Sequence, residues 1–551
     1  MRFLKDITPR EYQEEIFKTC KEFNCLIVLP TGIGKTLIAL MSVVDRMQKF
    51  PKEKIVFLAP TRPLAEQHLY YFKKHLPDLF ADMQLFTGKV PAVQRKQIWQ
   101  TSDIIFSTPQ CLGNDLKKNL YDLRNVSLLI EDEAHRCLKN YAYNYVVQKY
   151  KEQAVNQRII GMTASPGSEK SKIKDICKNL NIEKVELRTR EDVDVKKYIK
   201  KLDFEKIILP FPLQFEEIRQ LLLILYNKYV DELKSRHLLF GPINKITLIE
   251  LQKKLFARSS SGNNNYNILL GISAAASAVK LQHALELLET QTLTSFNTYL
   301  KKLLKEASQG KSKGVQRLIK KPEFNQAYII SSELLTKNIE HPKIQKTIEL
   351  IKEEKTKNPK SKIIIFAQYR ETSAIICKEL NLKLKDIGVK AKVFIGQSKK
   401  SDVHGSTSGL SQKEQKKIIE EFSEGKINVI VSTAIGEEGL DIPEVNAVIF
   451  YEPVPSAIRK IQRAGRTARL MKGKLIILIT KNTRDEAYYW ASFHKEKKMY
   501  SAIKSINKDM EDEKLSFNNN EENLSENKAD LEENKELNDN EDKTTQKRLE
   551  L

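Results

Sequence analysis

Short apolar runs alternate with amphipathic stretches through the first third of the chain. "CLIVLP", "KIVFLAP", "DIIFS", "SLLIED" and "RIIGMTA" are rich in β-branched residues and apolar on both faces, the pattern of strands buried within a parallel sheet. Helix-length segments separate several of them, so residues 1–200 read as one βαβ domain. A second set, "KIIIFAQ", "AKVFIG", "INVIVST", "NAVIFYE" and "KLIILIT", predicts another parallel-sheet domain over 345–505. Between them, 205–340 loses its strand-like runs. There "AVKLQHALELLETQTLTSFNTYLKKLLKEA" carries apolar residues at helical period, which predicts a helical insert, with a loose loop at "SSSGNNN". Residues 506–551, rich in Asn, Glu, Lys and Asp, bury too little to fold and read as a disordered acidic tail.

Charge narrows the partner. Residues 505–551 carry 15 acidic against 7 basic side chains, so a chain of net +22 is a body of +30 with a tail of −8. Such a body calls for a polyanion, with nucleic acid ahead of an anionic membrane. No run is expected to reach transmembrane length, and the start "MRFLKDITPREYQ" lacks a signal-peptide core. The six cysteines show no C-x-x-C pair. They read as free thiols in a reducing, cytoplasmic setting, without zinc or an Fe–S cluster.

Three short motifs carry the chemistry. "LPTGIGKT" (Leu29, Pro30, Thr31, Gly32, Ile33, Gly34, Lys35, Thr36) follows one strand and opens a helix. Its glycines let backbone N–H groups face phosphate oxygens; Lys35 reaches the β- and γ-phosphates, and Thr36 holds Mg²⁺. Leu29 stands where this pattern usually begins with glycine. "LLIEDEAH" ends another strand in acids: Asp132 completes the Mg²⁺ shell, and Glu133 polarises the attacking water. "QRAGRTAR" lies about 430 residues beyond the phosphate loop and places Arg463, Arg466 and Arg469 on one helix face. A nucleotide on the first domain lacks a cation on its γ side, so Arg466 and Arg469 read as arginine fingers reaching across a closing cleft, worth about 10³–10⁵ in rate. Trp99, Trp490 and the trio Tyr141, Tyr143 and Tyr145 read as packing rather than as base-stacking platforms.

Together "LPTGIGKT", "APTRPLAEQ", "TPQ", "DEAH", "TAS", "STAIGEEGLDIP" and "QRAGRTAR" resemble, in order and spacing, the superfamily 2 helicase core. The stretch from "GLSQKEQ" to "QRAGRTAR", with "PREYQ" and "HALELLETQ", is similar to the archaeal Hef and Fanconi anaemia group M family. The resemblance covers about residues 5–505. It implies two RecA-like domains flanking a thumb-like helical insert that recognises branched DNA. It further implies that Arg10 and Gln13 sense adenine, and that Gly439, Asp441 and Gln462 meet nucleotide on closure. His135, Thr163 and Ser165 would couple the nucleotide site to the strand, and Thr61, Arg62, Thr108 and Thr433 would contact the strand. Apart from the resemblance, the hydrophilic run "GQSKKSDVHGSTSG" at 396–409 reads as a mobile loop, with Gln397 at its start a further candidate strand contact. Ala468 replaces a glycine frequent in the last motif, and no nuclease signature follows.

The expectation is therefore a monomeric, ATP- and Mg²⁺-dependent DNA helicase or translocase, moving 3′→5′ on forks or branches. The alternatives are a duplex-RNA-stimulated ATPase and an ATP-switched binding platform that does not unwind. The tail is expected to dock a protein partner of unknown identity.

Overall fold

The computed structural model describes residues 3–198, 202–261, 265–310, 312–397, 400–401, 407–436, 442–467 and 472–510. The first domain is built on β1 (Cys25–Val28), β2 (Lys54–Leu58), β3 (Met83–Phe86), β4 (Ile104–Ser107), β5 (Val126–Asp132), β6 (Ile159–Thr163) and β7 (Lys184–Leu187). They form one parallel sheet in the order β3-β4-β2-β5-β6-β1-β7. Strands β1, β4, β5 and β6 are buried throughout, with helices packed on both faces. That is why they read as unbroken apolar runs. The unheralded strands are β3 and β7, and both are edges. There polar Gln84 and Glu186 face outward, so neither segment shows a continuous apolar signal.

The second sheet contains β8 (Leu202–Leu209), β9 (Ile363–Phe366), β10 (Ala391–Phe394), β13 (Val429–Ser432), β14 (Ala447–Phe450) and β15 (Gly473–Thr480). Its order is β10-β13-β9-β14-β15-β8, again all parallel. A separate ribbon pairs β11 (Lys400–Ser401) with β12 (Thr407–Ser408), within the hydrophilic run at 396–409. Strand β8 corrects the expected insert boundary. It pairs along all eight residues with β15, so this segment belongs to the second sheet and the insert's helices begin at Leu213. As an edge strand with Phe204 and Ile208 half-exposed, β8 alternates too weakly to be recognised from composition.

The insert is a helical bundle whose core joins helices Leu213–Ser235, Tyr266–Thr290, Leu293–Ser308 and Pro322–Thr336. Helix Tyr266–Thr290 corrects another expectation. By length and composition it is long and apolar enough to cross a membrane, although half of its apolar window is buried in the bundle.

A helix over 484–510 leaves the second sheet and runs back to the first domain. Met499, Ala502, Ile503 and Ile506 join the first domain's core. Asn507 Nδ2 donates to the Val185 carbonyl at 2.8 Å, and Asp509 pairs with Lys170 and Lys174. Ordered chain therefore continues past 505, the expected start of the tail, because the apolar stripe of this helix is satisfied only by a surface some 320 residues away in sequence. The expected tail from residue 511 onward, and the "GNN" of the expected loop at 262–264, lie outside the described residues.

This strap should contribute measurably to stability. Ile503 is 1% exposed, so Ile503→Ala should lower the denaturant midpoint by the equivalent of about 2–5 kcal/mol. Ile246→Ala, at a position 68% exposed, should stay within about 0.5 kcal/mol. Equal midpoints for the two variants would show that the helix does not hold the domains together.

Candidate nucleotide and strand-binding site

In both parallel sheets the candidate residues follow the C-terminal strand ends, where open α/β sheets hold ligands. The phosphate loop follows β1, Asp132 ends β5 and Thr163 ends β6. Thr61 and Arg62 follow β2, Thr108 follows β4, Gln397 follows β10 and Thr433 follows β13.

Local contacts shape the phosphate loop. Gly34 has φ +90°, and a Cβ there would stand 2.2 Å from Gln13 Nε2, so both backbone strain and contact require glycine. Gln13 Nε2 donates to the Ile33 and Gly34 carbonyls at 3.3 and 3.2 Å, while its Oε1 accepts the Arg10 N–H at 2.9 Å. Tyr12 supports the same turn, its hydroxyl donating to the Ile33 carbonyl at 2.5 Å. Gln13 thus braces the loop directly. Arg10 lies over the Tyr198 ring, 5.3 Å from its centroid. Leu29 and Ile33 are buried, which explains an apolar residue at the loop's first position. Lys35 Nζ donates to the Leu29 carbonyl at 2.9 Å, folded over the loop it would share with phosphate.

Asp132 is 6% exposed and held from two sides. Its Oδ2 meets His68 Nε2 at 2.9 Å, and its Oδ1 accepts the Glu133 N–H at 3.0 Å. Burial pushes this carboxyl up, but the hydrogen bond and charge of His68, together with Lys35, outweigh that and hold it below its ordinary value. It is an anion ready for a cation. Thr36, half-buried at the helix start, and Asp132 are hard oxygen donors of the kind that complete a Mg²⁺ shell around bound phosphates. Tyr143 donates to the Asp132 carbonyl at 2.6 Å and is fully buried, so this member of the tyrosine trio positions the acidic motif. Trp99 also packs inward, stacked 4.1 Å from Tyr121. Neither His68 nor Tyr143 was marked by the sequence motifs; their roles follow from tertiary contacts alone.

Glu133 sits at φ +52° and lies 3.2 Å from His135 Nδ1. His135 Nδ1 also meets Thr163 Oγ1 at 3.1 Å, and Thr163 Oγ1 donates to the Ser165 carbonyl at 3.1 Å. The expected coupling residues therefore form one connected chain. It continues through Ser165 Oγ, which donates to Met499 Sδ at 2.9 Å on the strap helix. On the strand side, Thr61 Oγ1 and Arg62 Nε are buried atoms with no hydrogen-bond partner among the described residues. Gln397 is exposed, and Thr433 is tied by its backbone to Phe394 at 3.2 Å.

The second domain closes onto the phosphate loop through helix Ala457–Ala464. A Cβ at Gly465 would lie 1.9 Å from Thr31 Oγ1, and Thr31 donates to the Ile461 carbonyl at 3.4 Å. Gln462 and Arg466 are 1% and 7% exposed in this apposition. The Thr467 hydroxyl, donating to the Val445 carbonyl at 2.6 Å, pins the residue after Arg466. Arg463 does not join its helix neighbours at the cleft. It is fully buried against the rings of Phe366 and Phe450, 5.0 and 5.5 Å from their centroids. Beside the loop, a cavity of about 500 Å³ is lined by Pro30, Thr31, Arg190, Lys460, Ile461 and Gly465, among others. Gly439, Asp441, Ala468 and Arg469 lie outside the described residues.

Family models match the chain in three consecutive blocks. These are the DEAD/DEAH box helicase domain (residues 10–173), a helical bundle named for a provisionally assigned ATP-dependent RNA helicase (214–340), and the helicase conserved C-terminal domain (342–471). A Methanocaldococcus jannaschii protein, provisionally named an ATP-dependent RNA helicase, is 38% identical over 91% of this chain and 61% of its own length. The ATP-dependent DNA helicase mph1 of Neurospora crassa is 32% identical over 87% and 41%, and the mouse Fanconi anemia group M protein homolog 30% over 90% and 26%. The chain thus spans less than two thirds of the length of these relatives. The crystal structure of the Pyrococcus furiosus Hef helicase domain is similar at 41% identity and a TM-score of 0.65, covering 88% of this chain and 98% of that one. With its phosphate loop, acidic strand end and arginine helix assembled on two parallel sheets around a helical bundle, the chain belongs to the superfamily 2 DEAD/DEAH-box helicases of the Hef and Fanconi anaemia group M type.

Proposed function

We propose that this chain is an ATP-driven motor on DNA, moving 3′→5′ along one strand as a monomer and acting on forked or branched substrates. The observation that carries the reading is the approach of Gly465 to Thr31. It sets the helix of Gln462 and Arg466 against the phosphate loop, so that hydrolysis depends on the relative position of two domains that each present strand-facing residues. In this cycle Lys35 and the loop N–H groups bind phosphate, Glu133 orients water, and Arg466 with Arg469 neutralises charge in the transition state. Thr36 and Asp132 hold Mg²⁺, which supplies further neutralisation of the phosphates. The His135–Thr163–Ser165 chain passes the nucleotide state toward the strand. A cytoplasmic location accompanies this reading, supported by six cysteines that are all free and buried.

Support for DNA comes from the relatives named as DNA helicases and from Hef. A second reading, a duplex-RNA-stimulated ATPase, is favoured by the name of the Methanocaldococcus relative and of the bundle model. ATPase rates with single-stranded, duplex, forked and four-way DNA beside matched RNA separate the two. Greater stimulation by duplex RNA than by any DNA overturns the DNA reading.

Lys35→Ala should abolish turnover by removing the phosphate cation. Glu133→Gln should keep ATP binding while hydrolysis falls by at least about 10². Near-normal turnover in both would refute the catalytic assignment. Binding should also weaken steeply with salt, because each neutralised phosphate releases counterions. A footprint of about 6–10 phosphate contacts loses about 10³–10⁵ in affinity between roughly 50 and 200 mM. A flat response would show that the +30 body does not grip a polyanion.

The insert supplies the branch preference. Lys301, Lys302, Lys305, Lys313 and Lys320 are exposed on its last helices and turns, where they meet the phosphates of a second arm. The combined variant Lys301→Glu, Lys302→Glu and Lys320→Glu should cut fork binding severely and lower its salt slope by about 0.9 per lost contact. Single-strand-stimulated ATPase should change little. A parallel fall in both activities would place branch recognition elsewhere.

A further inference from the structure

The insert joins the second domain through polar groups that are almost wholly buried. The turn between helices Tyr266–Thr290 and Leu293–Ser308 holds Thr290, Gln291 and Thr292, each 2% exposed or less. Gln291 Oε1 accepts from Thr372 Oγ1 at 2.9 Å, and Ser295 Oγ lies 3.2 Å from the same hydroxyl. The Thr290 carbonyl accepts from Lys343 Nζ at 3.1 Å, and Lys343 forms an ion pair with Asp485 in which both side chains are fully buried. Glu289 pairs with Arg484 at 2.8 Å. Two helices of the second domain, Pro342–Lys357 and Arg370–Lys383, and the strap helix therefore grip one turn of the insert.

From that turn a path leads to the ATP cleft. Gln291 Nε2 donates to Glu452 Oε2 at 3.3 Å, at a position where Glu452 is 1% exposed. Glu452 follows β14 and faces the field of the Arg463 guanidinium. Arg463, buried against the Phe366 and Phe450 rings, belongs to the same helix as Gln462 and stands three residues before Arg466. Hydrophobic contacts tolerate sliding, whereas a buried polar joint is satisfied in few arrangements and is costly when broken. A turn of the insert seated in such a joint moves with Glu452 and Arg463.

We infer that Gln291 and Glu452 are positioning residues, a buried relay through which the helical insert sets the helix carrying Gln462 and Arg466. The relay rests on the reading of Arg466 as a finger at the nucleotide. DNA engaged by the insert reaches the cleft through this joint, which gives branched substrates a stimulation of hydrolysis that a single strand lacks. The charge of Glu452 tunes the connection. Burial raises its carboxyl to about 7, against the opposing pull of Arg463 and Lys343, with Asp485 adding to the rise and the Gln291 hydrogen bond lowering it. Tyr451 and Tyr369 also face it. Below about pH 7 Glu452 is neutral; above it, the carboxylate attracts Arg463 and the relay tightens.

The test measures ATPase kcat and KM without DNA, with single strand and with forked DNA, alongside thermal melts. Gln291→Leu should leave DNA-free kcat and KM for ATP within about twofold and remove at least about tenfold of the fork-stimulated kcat. Glu452→Gln conserves volume and hydrogen bonding. It should flatten a rise in fork-stimulated kcat that the wild type shows through about pH 7. Wild-type fork stimulation in Gln291→Leu, a proportional fall of basal and stimulated rates, or an unchanged pH profile in Glu452→Gln would each overturn the relay. Arg466→Ala assayed beside them separates the two ideas. Turnover lost there but fully stimulated in Gln291→Leu overturns the relay alone, and turnover kept in Arg466→Ala overturns the finger reading and the relay with it.

Discussion

Gly465 and Thr31 approach so closely that one added carbon would lie 1.9 Å from the threonine hydroxyl, and the organisation of the molecule follows from that contact. The first sheet supplies the phosphate loop, Asp132 and Glu133. The second supplies the arginine helix. Neither domain contains all of these motifs, so the proposed hydrolysis needs the two apposed, and a glycine at the contact permits that without a side chain in between.

Holding two separately packed domains in register demands connections beyond the cleft itself, and there are two of opposite character. The strap helix over 484–510 buries Met499, Ala502, Ile503 and Ile506 against the first domain, a non-directional attachment that tolerates small rotations. The insert meets the second domain through hydrogen bonds and ion pairs in a dry joint, which is directional and registers position. One attachment keeps the domains associated through apolar burial. The other ties a remote helical bundle to the arginine helix. Met499 links the strap to the coupling chain as well, through Ser165, so domain position and nucleotide-site geometry meet in one hydrogen bond.

Inside the site, the residues that react and those that hold them were unequally visible. Lys35, Thr36, Asp132, Glu133 and Arg466 occur in short motifs because each must follow a particular strand end or helix start, and that local requirement is written in consecutive residues. His68, Tyr143 and Met499 reach the same site from elsewhere in the chain. Nothing in their immediate neighbours distinguishes them from core residues. Arg463 shows the converse. It shares a helix face with Arg466 in sequence, yet folding buries it fully against the Phe366 and Phe450 rings.

The same division applies to the fold. Central strands such as β1, β5, β9 and β13 are buried on both faces, so their sequences alone determined their existence, their parallel sheets and the two-domain plan. Edge strands β3, β7 and β8 keep one side toward solvent or a helix end, and their polar positions conceal them from any local reading. The helix over 484–510 is amphipathic in sequence, but its apolar stripe has no meaning until the first domain provides the surface that covers it. Apolar periodicity likewise marked the insert as helical without indicating where its central turn would seat. Sequence determines what a short segment does with its own neighbours, because backbone hydrogen bonds and periodic burial act over a few residues. Which distant surfaces satisfy Gln291, Glu452, His68 and Met499 was decided only when the tertiary structure brought together groups separated by tens to hundreds of residues.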